Sequence, residues 1–307
     1  ARQNLFYAAE AKRLDRRLDA AGVPHLFVKG VTLNMLAYGT LGLKRSCDID
    51  LLVDPEDYGE ALPVLEDAGY VSTHPPAGAS HADMLRYAAD TKDTVWHNAA
   101  KRVTVELHQR LTPNRALMPA VGARSPRQEV EIAPGLTLAT LAREELVAYL
   151  FAHGALTAWS RLKWVADLAA LLAGEDEAGL ERLYRRALVL APGRSAAQAL
   201  LLVDRLFGLP LGPRLRKDLG RDPVSRWLAG TALRTMLQGG PRELDEHPLG
   251  TARIHLSSLV LQRGWRYTAA EIARKFRAPA EGGGVSFRRA AQVAQWFGRR
   301  ARRAARG

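Results

Sequence analysis

The chain of 307 residues predicts an α+β fold: a small mixed sheet with flanking helices, followed by a helical domain. Three observations carry this. Short apolar runs of strand type alternate with helical periodicity as far as about residue 137, and from about Leu138 the apolar spacing is helical almost throughout. Gly and Pro fall mainly between those later helices. The length suffices for two domains, and the expected division is 1–137, 138–281 and a last segment, 282–307, that opens on Gly282-Gly283-Gly284.

Residues 4–21 form an amphipathic helix with Leu5, Leu14 and Leu18 on its core side, ended by Gly22-Val23-Pro24. His25-Leu26-Phe27-Val28 is a strand, and Gly30 to Tyr38 a helix that starts at the glycine. Such a turn leaves backbone N–H groups free at a helix N-terminus, where an anion such as phosphate is stabilised. In Asp48-Ile49-Asp50 on the next strand, alternation sends both carboxylates to one face and Ile49, Leu51 and Val53 to the other. Two adjacent carboxylates repel unless a cation lies between them, and hard oxygen donors favour Mg²⁺ or Mn²⁺. Lys29 and Arg45 supply positive charge for a triphosphate.

Glu56 to Ala68 reads as a helix, Tyr70 to Thr73 as a strand and His74 to His81 as a loop that can lie over the site. Met84 to Asn98 and Lys101 to Gln109 read as paired strands joined near Asn98-Ala99-Ala100. Within the second, Val103-Thr104-Val105-Glu106-Leu107-His108 puts Thr104, Glu106 and His108 on one face. His81 and His97 lack ligand-like spacing and read as ordinary loop or strand residues. Helices are expected over Leu141–His153, Arg161–Ala173, Leu180–Leu190, Ser195–Phe207, Ser225–Leu237 and Ile254–Arg263.

The Gly30 turn, the basic residues and Asp48-Ile49-Asp50 together resemble the nucleotidyltransferases of the DNA polymerase beta type. They are most similar to a bacterial branch that contains antibiotic nucleotidyltransferases and uncharacterised nucleotidyltransferases found near natural-product gene clusters. Gly30, Leu33, Arg45, Asp48 and Asp50 follow that family's order, and the resemblance covers roughly residues 24–170. The family's usual Gly-Ser or Gly-Gly turn is here Lys29-Gly30, so either Lys29 stands in for the serine or nucleotide binding is altered.

The resemblance implies the nucleotidyltransferase fold, with a catalytic domain at 1–137 and Asp48, Asp50 and Glu106 as catalytic and metal-binding carboxylates. It also implies Mg²⁺ or Mn²⁺ as cofactor and an NTP as donor, with ATP expected. Lys29, Gly30 and Arg45 then bind the triphosphate. Glu106 either helps hold a second ion or accepts the acceptor's proton. His153 and Lys163-Trp164-Val165-Ala166-Asp167 resemble features of the uncharacterised branch, with Lys163 placed on phosphate and Trp164 and Asp167 at least as well explained by packing. His108 has no fixed role. The acceptor expected is a hydroxyl of a peptide or small natural product; a degenerate nucleotide-binding partner or regulator, or an enzyme acting on RNA, are the alternatives.

The net charge of +12 is concentrated at the end: from Val285 onward there are seven arginines and no acid. Phe287, Val293, Trp296 and Phe297 give that segment an amphipathic pattern, suited to docking a macromolecular partner, to a nucleic-acid patch or simply to solvation. No apolar run is long enough for a membrane span, and the one cysteine, Cys47, cannot form an internal disulfide. A cytoplasmic enzyme is expected.

Overall fold

The computed structural model describes residues 2–237 and 252–276. The chain divides into two compact units, Ala1–Val147 and Ala148–Gly307. The expectations for the Gly hinge and the Arg-rich segment from 282 onward fall outside the described residues.

The first unit opens with α1 (Arg2–Ala20), whose buried Tyr7, Ala8, Ala11, Leu14 and Leu18 recur at helical spacing. Then come β1 (His25–Phe27), α2 (Val31–Tyr38), β2 (Ile49–Val53), α3 (Tyr58–Asp67), β3 (Val71–His74), α4 (His81–Asp90), β4 (Asp93–Asn98) and β5 (Val103–His108). The five strands form one mixed sheet in the order β1-β2-β5-β4-β3. Strands β2 and β5 run parallel, whereas β1–β2, β4–β5 and β3–β4 are antiparallel.

Strand alternation divides the labour of the two faces. Ile49, Leu51 and Val53 of β2, with Val103, Val105 and Leu107 of β5, join α1 and α3 residues in one hydrophobic core. The intervening residues, Asp50, Glu106 and His108, therefore belong to the opposite face. In the parallel register Asp50 stands beside Glu106 and Leu52 beside His108.

Several expectations require correction, among them Leu5, which is exposed and not on the core side of α1. Met84–Asn98 is not one strand: His81–Asp90 is the helix α4, and only Asp93–Asn98 pairs with β5. Its Ser80 hydroxyl accepts the Asp83 N–H and the Asp83 side chain reaches back to Ser80 N–H, a reciprocal cap that satisfies two otherwise orphaned donors. Nor does helix follow directly after Leu138. An antiparallel hairpin of β6 (Arg127–Ala133) and β7 (Leu136–Leu141) comes first, and the helical series starts with α5 (Arg143–Leu156).

That series continues with α6 (Leu162–Leu172), α7 (Glu177–Leu190), α8 (Arg194–Phe207), α9 (Pro213–Arg221), α10 (Pro223–Leu237), α11 (Ala252–Ser258) and α12 (Trp265–Phe276). Helices α9 and α12 were not anticipated, and the expected helix Ile254–Arg263 stops at Ser258 as α11. In α9 a proline at the first turn replaces an N–H that has no intrahelical partner, which suits a helix start.

Candidate active site

The site begins where β1 ends. Gly30 has φ 65° and ψ −125°, a region closed to residues with a Cβ, and it precedes the first turn of α2. Thr32 closes the turn from within by donating its hydroxyl to the carbonyls of Phe27 (3.0 Å) and Lys29 (2.9 Å). A Cβ at Gly30 would stand 3.6 Å from the Asp48 carbonyl, so this turn and the start of β2 lie side by side.

The loop from α2 to β2 is held by side chains from two helices. Asn4 of α1 donates to the carbonyls of Leu41 (2.6 Å) and Lys44 (2.5 Å) and accepts the Ser46 N–H (2.8 Å). Asn34 of α2 also donates to Lys44 O, at 3.0 Å, and the Tyr7 hydroxyl donates to the Cys47 carbonyl, at 2.8 Å. These bonds fix the chain immediately before Asp48. Arg45 and Cys47 are exposed on this loop.

Asp50 is 4 % exposed, and its Oδ1 lies 2.7 Å from Lys29 Nζ and 3.2 Å from His108 Nε2. The same His108 nitrogen is 3.4 Å from Glu106 Oε2, while its Nδ1 is 3.6 Å from Asp93 Oδ2. Asp93 also pairs with Lys92, whose ammonium is 3.9 Å from Glu106. The imidazole of β5 thus lies among carboxylates of β2, β4 and β5.

Electrostatics distinguish the three acids. Burial disfavours charge on Asp50, yet Lys29 and His108 outweigh it and hold its carboxyl far below the ordinary range. The hydrogen bond from His108 lowers Glu106 against burial and the repulsion of Asp50. Asp48 moves the other way: burial raises it, and Asp50 and Glu106 add to the rise.

Asp50, Glu106 and His108 present ligand atoms all within 4.8 Å of one another and could hold a metal ion. The donor chemistry fits a divalent cation, since added positive charge would relieve the repulsion that raises Asp48. Asp48 lies outside that tight group. A second acidic group, Asp54, Glu56 and Asp57, is spanned by the Arg124 guanidinium, and Asp54 accepts the backbone N–H groups of Ala123 and Arg124. That cluster fastens a loop.

The geometry thus brings Lys29, Asp50, Glu106 and His108 together, with Gly30 against Asp48. Lys163 is exposed on α6 in the second unit. In that unit His153 and Trp164 meet edge-on at 5.5 Å, and the Arg161 guanidinium lies 5.5 Å from the Trp164 ring centre. Asp167 is buried. His81 pairs with Glu66 at 3.1 Å and His97 contacts Thr104 at 3.3 Å; neither joins a metal-binding group among the described residues. The loop between β3 and α4 leaves the edge strand, with β4 standing between that strand and β5.

A mixed sheet carrying acids on adjacent strands, beside a glycine turn into a helix, defines the chain as a nucleotidyltransferase, a transferase enzyme. The family model described as "Uncharacterised nucleotidyltransferase" matches residues 1–208, and the chain belongs to that family. No curated protein matches it. No helix among the described residues is long and apolar enough to cross a membrane.

Proposed function

We propose that the protein transfers a nucleoside monophosphate from an NTP, with ATP as the donor, to a hydroxyl of a peptide or small natural product and releases pyrophosphate. The observation that carries this reading is the parallel register that sets Asp50 beside Glu106 on the face opposite the core. In the reaction the acceptor oxygen bonds to the α-phosphorus, the bond from that phosphorus to the β-bridging oxygen breaks, and the hydroxyl proton passes to a base.

Asp48, Asp50 and Glu106 would hold Mg²⁺ or Mn²⁺, which supplies charge stabilisation for the phosphate oxygens and the leaving group. Lys29 and Arg45 would neutralise the triphosphate, with the backbone N–H groups after Gly30 as further donors. Glu106 is better suited to ligation than to proton acceptance, because its His108 bond holds it below the range where a base is efficient at neutral pH.

The test is the double variant Asp48→Asn, Asp50→Asn, which removes charge with little change of shape. Nucleotidyl transfer with saturating metal should fall by more than ~100-fold, the scale of a major electrostatic contributor, while the variant remains folded. Transfer at the wild-type rate would sink the assignment. Intact-mass analysis of candidate acceptors incubated with each NTP identifies donor and acceptor together.

A further inference from the structure

A cavity of about 720 Å³ opens within the second unit between the C-terminal half of α7, the start of α8, the α9–α10 corner and the segment after α11. That volume falls in the range of small-molecule sites. Its floor is built around Arg194, whose Nε donates to Asp222 Oδ2 at 2.6 Å and whose Nη1 donates to the carbonyls of Val260 (3.0 Å) and Gln262 (3.1 Å). Gly193, at φ 60°, packs so closely on Leu261 and Gln262 that no Cβ fits. This junction is a fixed structure.

The rim differs. Side chains of Arg185, Arg221 and Arg263 are 57 %, 74 % and 77 % exposed, and they share Asp218 and Asp222 at 3.5 to 3.6 Å. Arg185 also pairs with Glu181 at 3.2 Å. Exposed pairs of this length contribute little, so the guanidiniums can turn onto another anion at small cost. Four arginines against two aspartates give the lining a formal charge of +2. One wall is apolar, with the Tyr184 ring and a partly exposed Leu188.

We propose that this cavity binds a small organic phosphate, with its dianion held by Arg185, Arg221 and Arg263 and its apolar body against Tyr184 and Leu188. Guanidinium forks match phosphate oxygens in pairs, and the surplus of positive charge favours an anion. None of the lining residues belongs to the carboxylate site, and the proposal stands whether or not the transfer reaction is as described above.

Isothermal titration of the full chain at constant ionic strength, without divalent metal, tests it with phenyl phosphate, inorganic phosphate and benzoate as separate probes. Saturable binding of phenyl phosphate is expected, with both other probes weaker by about 10-fold or more, a difference of about 1.4 kcal/mol. Arg221→Ala with Arg263→Ala, both on the exposed rim, should keep the wild-type melting temperature and lose at least about 10-fold in phenyl phosphate affinity. Asp48→Asn with Asp50→Asn should bind the probe as wild type does. The proposal is overturned by a wild-type chain that does not saturate, by an arginine variant that binds unchanged, or by loss of binding in the aspartate variant. Equal affinity for benzoate or for inorganic phosphate would overturn the choice of an organic phosphate.

Discussion

At the scale of single residues, Lys29 occupies an unusual position: its ammonium compensates a buried carboxylate that is also proposed to bind metal. Lys29→Ala should lower the melting temperature in chelator, because Asp50 loses a close cationic partner, and added Mg²⁺ should restore part of the loss. Nucleotide KM should rise or kcat fall with ATP, whereas AMP affinity should change little. An equal loss for AMP would assign Lys29 to the turn alone.

Glu10 offers a separate test of buried charge. Its carboxylate lies 2.6 Å from Arg13 and 2.7 Å from Lys101, and it accepts the Tyr70 hydroxyl at 2.8 Å. Burial opposes its charge, yet these bonds hold its carboxyl below the ordinary value of 4.5. A lowered folded-state value means stability that is complete above the unfolded value and lost as pH falls through the folded one. Glu10→Gln should therefore cost about 1–2 kcal/mol at pH 7, a figure reduced because Arg13 and Lys101 are partly solvated, and the difference should shrink below about pH 4. Chemical denaturation of both proteins at several pH values measures it.

Among elements, the loop from α2 to β2 depends on Asn4 more than its length suggests. Asn4→Ala removes the side-chain partner of the Leu41 carbonyl and the Ser46 N–H, while the Lys44 carbonyl keeps Asn34, a loss of about 1–3 kcal/mol where these groups are buried. Since that loop leads directly into Asp48, the expected result is a fall in both stability and kcat, read by denaturation and by steady-state kinetics. Unchanged kcat would mean that the start of β2 positions the neighbouring Asp48 without the clamp.

The same elements show what was legible in the sequence. Alternation in Ile49–Val53 and in Val103–His108 announced both strands and the shared face of Asp50 and Glu106, because period two leaves no other choice, whereas Asp48 precedes β2 and lies outside the group of ligand atoms. Asn4 and Asn34 were invisible as clamps: an asparagine within a helix gives no sign of which distant carbonyl it reaches. Helix α4 was missed although Ser80 and Asp83 carry the capping pattern, since its few apolar residues fit strand alternation as well. Position in space also decided His108: Glu106 shares its face by alternation, but Asp50 and Asp93 reach it only through strand pairing.

For the molecule as a whole, charge distribution is the property that invites measurement. Truncation after Gly284 removes seven positive charges and no negative one, and none of the proposed metal or nucleotide residues. If the segment docks a macromolecular acceptor, the truncated protein should bind Mg-ATP unchanged and lose transfer to that acceptor most strongly at low salt, where charge attraction reaches furthest. A small neutral acceptor should react as before. A large fall in melting temperature would instead assign the segment to the fold.

The pairing of β2 with β5 has a further consequence for how this chain can vary. Core and site are the two sides of one alignment, so a slip of β5 by a single residue would turn Glu106 and His108 into the hydrocarbon interior and expel Val105 and Leu107. Chemistry and solubility would fail together. Insertions or deletions within either strand, which shift that alignment, are therefore filtered by folding before activity is tested, and surviving variants inherit the carboxylate spacing as a by-product of having a core.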